Sequence, residues 1–182
     1  MSHLTGKRIA FLATDGYEDS ELTSPWGAVT EHEAVAELIS TETGTIKGKK
    51  EHEAQVGRTT SEANADDYDA LVLPGGVVNA DHIRLDRAAV QFVRRFFETG
   101  KPVAVICHGA WILADADVLR DRTITSYPSL RTDLINAGAN WVDEEVVVDQ
   151  GLVSSRTPDD LPAFNAKLVE EVAEGRHEGQ TA

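Results

Sequence analysis

The only cysteine of this 182-residue chain, Cys107, stands in VAVICHGAWILADA (103–116), where an apolar run gives way to a helical pattern. Strand, nucleophile, glycine and helix in that order make a nucleophile elbow, a tight turn that lifts a side chain above a sheet. A helix start offers free N–H groups and a positive dipole end, both of which favour a thiolate. A free cysteine near pKa 8.5 is only about 3% thiolate at pH 7, so a fall of about two units would leave it mostly ionised. A lone cysteine is more often a small buried hydrophobe. Its place at the end of a strand, followed by His108 and Gly109, makes Cys107 the candidate nucleophile.

His108 has two readings. As a general base it must come within about 3 Å of the thiol, which adjacent residues achieve only in a distorted turn. Otherwise it caps or packs a helix. Its backbone N–H has a separate use, because the amide after a nucleophile commonly forms half of an oxyanion hole. The second amide is expected from Gly76 in LPGG, where a residue without a side chain permits close approach. Glu18, in DGYED, is either a helix-start carboxylate among Asp15, Asp19 and Glu21 or a partner of Cys107. In the second case it must carry its proton, since an ionised carboxylate opposes a thiolate; a raised pKa is then expected.

The elements that must position these residues alternate along the chain. KRIAFLAT (7–14), AELIS, TIKGKK, DYDALVLPGG, PVAVI and TITSY read as strands, and WVDEEVVVDQGLVSSR as a hairpin turning at Asp149, Gln150 and Gly151. Residues 20–37, 86–99, GAWILADA, SLRTDLINAG and TPDDLPAFNAKLVEEV read as helices. Pro25 is tolerable only in a first turn or at a kink. Thr157 suits an N-cap and Pro158 the first helical position, while the tail EGRHEGQTA reads as frayed. The expectation is one α/β domain over 1–182, with a core at about 7–172, three layers and a mostly parallel sheet. Ligands gather beyond the carboxyl ends of such strands, which picks out the loops DGYED, PGG and CHG.

The formal net charge of -14, from 31 acidic and 17 basic residues, argues against binding nucleic acid or anionic membranes. The one basic cluster, KGKK (47–50), reads as an exposed turn. No run of about 18 apolar residues is present, and a single cysteine in a chain without a signal-like start suits a reducing, cytoplasmic setting. Neither Cys-x-x-Cys nor His-Glu-x-x-His occurs, so no metal site is expected. GxGxxG and Walker A patterns are absent too, and no cofactor is expected. A glutaminase of similar architecture would need a His-x-Glu pair after the cysteine, and the only later histidine, His177, is followed directly by Glu178.

Together AVICHG, LPGG, GYEDSELTSP and INAGA…WVDEEVVVD…LVSSRTPDDLPAF resemble the ThiJ/PfpI superfamily, closest to the PfpI-like intracellular proteases and bacterial stress proteins. The resemblance runs over about residues 7–172. It implies a flavodoxin-like sandwich, akin to class I glutamine amidotransferases, assembled as a homodimer and in some cases a hexamer. It implies Cys107 as nucleophile, His108 as its neighbour, Glu18 as the carboxyl touching the sulfur, and an oxyanion site from the Gly76 and His108 amides. Asp81, in GGVVNADHIRL, is the match for an acid supplied across the subunit interface, although protease-like members carry Glu and a loop one residue shorter. Tyr127 matches an aromatic lining the pocket. The implied activity is a cysteine-dependent hydrolase of stress response, attacking the carbonyl of glycated adducts, small aldehydes or peptides. A non-catalytic, redox-responsive or chaperone-like stress protein would use the same cysteine by oxidation.

Overall fold

A computed structural model describes residues 3–182 of the chain. Its centre is a seven-stranded sheet. The strands are β1 (Arg8–Leu12), β2 (Val35–Ser40), β5 (Arg58–Thr59), β6 (Ala70–Leu73), β7 (Val103–Ile106), β10 (Val147–Asp149) and β11 (Leu152–Ser155), in the order β10-β11-β7-β6-β1-β2-β5. All neighbours are parallel except β10 and β11, which form the expected hairpin with Val148 opposite Val153. Two smaller ladders stand apart: β3 (Thr45–Lys47) with β4 (Glu53–Gln55), and β8 (Thr123–Ile124) with β9 (Asn140–Trp141).

The period of two along each strand sorts side chains onto two cores. Ile9, Phe11, Val72 and Ile106 face α1 (Asp19–Glu31) and α6 (Leu161–Glu174). Ala10, Leu12, Leu71 and Val105 face α3 (Arg87–Glu98), α4 (Trp111–Asp115) and α5 (Arg131–Asn136). Phe96 and Phe164, both fully buried, anchor the opposite layers and contribute about 2–3 kcal/mol each by burial. This is the three-layer arrangement that the strand–helix alternation predicts, and the flavodoxin-like sandwich that the resemblance implies.

Several details differ from the sequence reading. The first helix stops at Glu31, not residue 37, because Glu33 takes a left-handed turn (φ 72°) that starts β2. Pro25 lies in the middle of α1 and buried, past the first turn. GGVVNADHI, expected as a loop, contains α2 (Val77–Ile83) with Gly76 as its N-cap. Trp141 leaves the hairpin to pair with Ile124. Thr157 occupies the N-cap position without a side-chain cap bond. The tail is docked rather than frayed: the buried Gln180 accepts a bond from Arg122 Nη2 at 2.7 Å and donates to Lys101 O at 3.2 Å.

The strand order places β1, β6 and β7 side by side at the centre, and their carboxyl-end loops converge. From β1 the chain moves outward to β2 and returns on the other side to β6, so a crevice opens between β1 and β6. Among the described residues no helix is long and apolar enough to cross a membrane.

Candidate active site

Cys107 ends the extended run of β7 with φ 59°, a left-handed conformation uncommon for a residue with a side chain, and a 3-10 turn (Cys107–Ala110) leads into α4. The turn is held from outside by the Tyr127 N–H, which donates to Cys107 O at 3.2 Å. This is the elbow that the sequence predicts, with the thiol 8% exposed at the floor of a pocket of about 200 Å³.

The turn brings the His108 ring to the sulfur. Its Nδ1 lies 3.3 Å from Cys107 Sγ, its Nε2 lies 3.3 Å from Ser129 Oγ, and Tyr127 stacks on its ring at 4.6 Å. Tyr127 and Ser129 therefore fix the imidazole plane against the sulfur. Ser129 carried no sequence signal, since its role depends on the chain returning after β8. Burial, aided by the Lys49 charge, lowers the His108 pKa below its ordinary value, so the ring is a neutral acceptor at pH 7.

The backbone amides of Gly76 and His108 both favour the charged form of the Cys107 sulfur. Gly76 (φ 90°) crosses the loop after β1 so closely that a Cβ there would lie 2.6 Å from Glu18 N. Gly75 is wedged between Glu21 Oε1 and Cys107, where a Cβ would lie 2.8 Å from Cys107 Cβ. Asn79, buried in α2, locks the turn by donating to Pro74 O and Gly75 O at 3.2 and 3.0 Å while accepting from Thr14 N–H at 2.7 Å. The other wall, Thr157 and Pro158, is set by Arg156, whose Nε and Nη2 bond the buried Asp160 carboxylate at 2.9 and 3.0 Å.

The carboxyl at the sulfur is Glu21, not Glu18. Glu21 is fully buried, its Oε1 accepts the Gly75 N–H at 3.0 Å, its Oε2 has no hydrogen-bond partner, and the nearby Cys107 thiol favours its charged form. Desolvation, with the Glu18 charge, raises its pKa to about 8, so it is the protonated acid at neutral pH. Glu18 also lines the pocket, but its carboxylate is paired with Lys49 at 2.6 Å and Lys50 at 3.5 Å. These lysines belong to KGKK, the exposed turn expected from the sequence, which here closes the β3–β4 hairpin. Asp15 and Asp19 bind that hairpin to the site, accepting from the Lys47, Lys50 and His52 amides at 2.8–2.9 Å.

The thiol itself is not depressed as the helix start suggested. Burial pushes Cys107 up to about 12, and the Glu21 and Glu18 charges add to the rise, against the His108 and Gly76 amides. The Glu21 share vanishes when that carboxyl holds its proton. Asp81 sits exposed on α2 and does not line the pocket in this chain.

The geometry is thus a buried thiol with a neutral imidazole acceptor, a protonated carboxyl and two converging amides. A family model described as DJ-1/PfpI matches residues 7–171. "Deglycase PH1704" of Pyrococcus horikoshii is 46% identical over 162 residues, 89% of this chain and 97% of its own. "General stress protein 18" of Bacillus subtilis is 47% identical over 167 residues, 90% and 96% of the two chains. A two-domain Anabaena variabilis crystal structure with DJ-1/ThiJ/PfpI-like and ferritin-like domains superposes with a TM-score of 0.89 at 32% identity, over 97% of this chain and 50% of that one. The chain belongs to the DJ-1/PfpI family.

Proposed function

We propose that this protein is a cysteine-dependent hydrolase of stress defence that acts on the carbonyl carbon of glycated adducts and small aldehydes. The observation that carries the reading is the meeting of Cys107 Sγ with His108 Nδ1 at 3.3 Å beneath the Gly76 and His108 amides. Cys107 gives its proton to neutral His108 as its sulfur adds to the carbonyl carbon, and the oxygen takes the negative charge. The Gly76 and His108 amides, which favour negative charge at the sulfur, would hold that oxygen. Glu21, protonated, donates toward the sulfur without adding charge beside it. An adduct gives up its amine or thiol, which leaves with a proton, and so reaches the same hemithioacetal as the free α-oxoaldehyde. The hydrogen on the attacked carbon then passes as a proton, through an enediol, to the neighbouring ketone carbon, so one carbon is oxidised to the thioester as the other is reduced to the alcohol. Water then releases the hydroxy acid and restores the thiol.

The pocket volume of about 200 Å³ favours a small carbonyl compound or a modified side-chain tip over a stretch of polypeptide. The redox-protein alternative asks for an exposed, acidic thiol, whereas Cys107 is buried with its proton affinity raised. A homodimer belongs to the same reading: α2 leaves Val77, at the pocket, and its neighbour Val78 about half exposed, with Asp81 on the same short helix. Only from a second copy would Asp81 reach a Cys107 site.

The test is a short peptide modified at one cysteine or arginine by methylglyoxal, offered beside the same peptide unmodified. Loss of the adduct with the peptide bonds intact is expected. Cleavage of the unmodified peptide with the adduct untouched would replace adduct hydrolysis by proteolysis.

A further inference from the structure

At the end of the sheet opposite Cys107, α6 finishes in a cluster that the catalytic reading does not use. Glu171 lies in the last turn of α6, Glu174 is its final residue, and the chain reverses at Gly175 (φ 88°) to bring His177 back. The returning segment is anchored independently of the imidazole. The His177 N–H donates to Gly100 O at 2.8 Å, the Gln180 N–H donates to His177 O at 3.1 Å, and the Gln180 side chain is held by Arg122 and Lys101. Gly100 and Gly151, which flank His177, lie ahead of β7 and β11, whereas Cys107 follows β7.

His177 Nε2 lies 2.9 Å from Glu171 Oε2 and 3.7 Å from Glu174 Oε2, and one ligand atom from each of the three residues lies within 4.8 Å of the others. Glu171 is the decisive member. Its side chain is only 6% exposed, yet Oε2 has no hydrogen-bond partner, and neither has the buried His177 Nε2 beside it. The two atoms are within ion-pair range if His177 is protonated, yet neither makes a hydrogen bond to the other or to any other group. A buried polar atom left unpaired costs about 1–3 kcal/mol, more when charged, so two of them converging on one point call for a third group. A cation that accepts both lone pairs supplies it.

We propose that Glu171, Glu174 and His177 bind a divalent first-row transition-metal ion, zinc being the best match, and that the ion pins the C-terminal segment to α6. One imidazole and two carboxylates are a zinc-type donor set, with water completing the coordination. Bonds of about 2.0–2.2 Å put the donor atoms of one tetrahedral ion roughly 3.3–3.6 Å apart, and the two distances from His177 Nε2 bracket that range. Glu-x-x-Glu-x-x-His brings its three side chains together only through the reversal at Gly175.

The test uses untagged protein carrying Cys107→Ser, which removes the thiol as a competing ligand, titrated with Zn²⁺ against a chromophoric chelator. One equivalent is expected to bind, and amide exchange over 175–182 is expected to slow. His177→Ala and Glu174→Gln, both outside the packed core, should each weaken binding by at least about tenfold. Zinc held equally well by the His177→Ala variant, or no zinc taken from the chelator by the Cys107→Ser parent, would overturn the proposal.

Discussion

Cys107→Ser is expected to lower kcat/KM on a methylglyoxal adduct by at least about a thousandfold while leaving secondary structure and melting temperature nearly unchanged. Serine keeps the size and the turn, and the Gly76 and His108 amides remain, so binding and the oxyanion site survive. What is lost is a nucleophile that His108 can deprotonate. The imidazole is held below its ordinary pKa by burial and Lys49, which makes it an available acceptor but a weak base. A thiol raised to about 12 is already a demanding donor for it, and a serine hydroxyl is more demanding still. The check is initial rates under reductant for wild type and variant at equal concentration. A variant retaining more than about a tenth of wild-type activity would show that the chemistry does not pass through sulfur.

Glu21→Gln should separate the two roles of the buried carboxyl. An ordinary carboxyl near 4.5 is raised to about 8 in the folded chain, so the native state binds a proton that the unfolded state has lost. Stability therefore falls as pH rises from about 4.5 to about 8 and is level beyond that, the full change being about 5 kcal/mol at about 1.4 per unit. Glutamine keeps an oxygen for the Gly75 N–H and a donor for the sulfur but does not ionise. The variant should match wild type in denaturant unfolding near pH 4 and exceed it increasingly up to pH 8. Its activity should also lose the alkaline decline of wild type, because above pH 8 an ionised Glu21 opposes the thiolate. Identical stability profiles for the two proteins would place the proton elsewhere. Glu21→Ala, by contrast, strands the Gly75 amide and opens a cavity, and should be destabilised at every pH.

Glu18 and Glu21 show what is legible in the sequence and what is not. Both carboxylates stand at the start of α1, three residues apart, and a loop-position argument cannot choose between them. The helix phase can: Glu21, Leu22, Pro25 and Val29 form its buried stripe, so Glu21 is a charged residue in a core position. The inner strands β1, β6 and β7 were readable because runs such as ALVL and VAVI are apolar on both faces. The elbow at Cys107 was readable because strand, nucleophile and glycine are local. α2 was not, since its seven residues include Asn79 and Asp81, poor helix formers, and follow a Pro-Gly-Gly turn. Contacts that close over long stretches of chain, such as Ser129 on His108 and Gln180 on Arg122, leave no local trace.

The most direct test follows methylglyoxal and fully reduced wild-type protein by proton NMR. The account predicts lactate appearing in step with the methylglyoxal lost, through a thioester at Cys107 that water opens, and no lactate with Cys107→Ser. Methylglyoxal that persists, or that disappears without lactate, would contradict carbonyl-directed catalysis at this site.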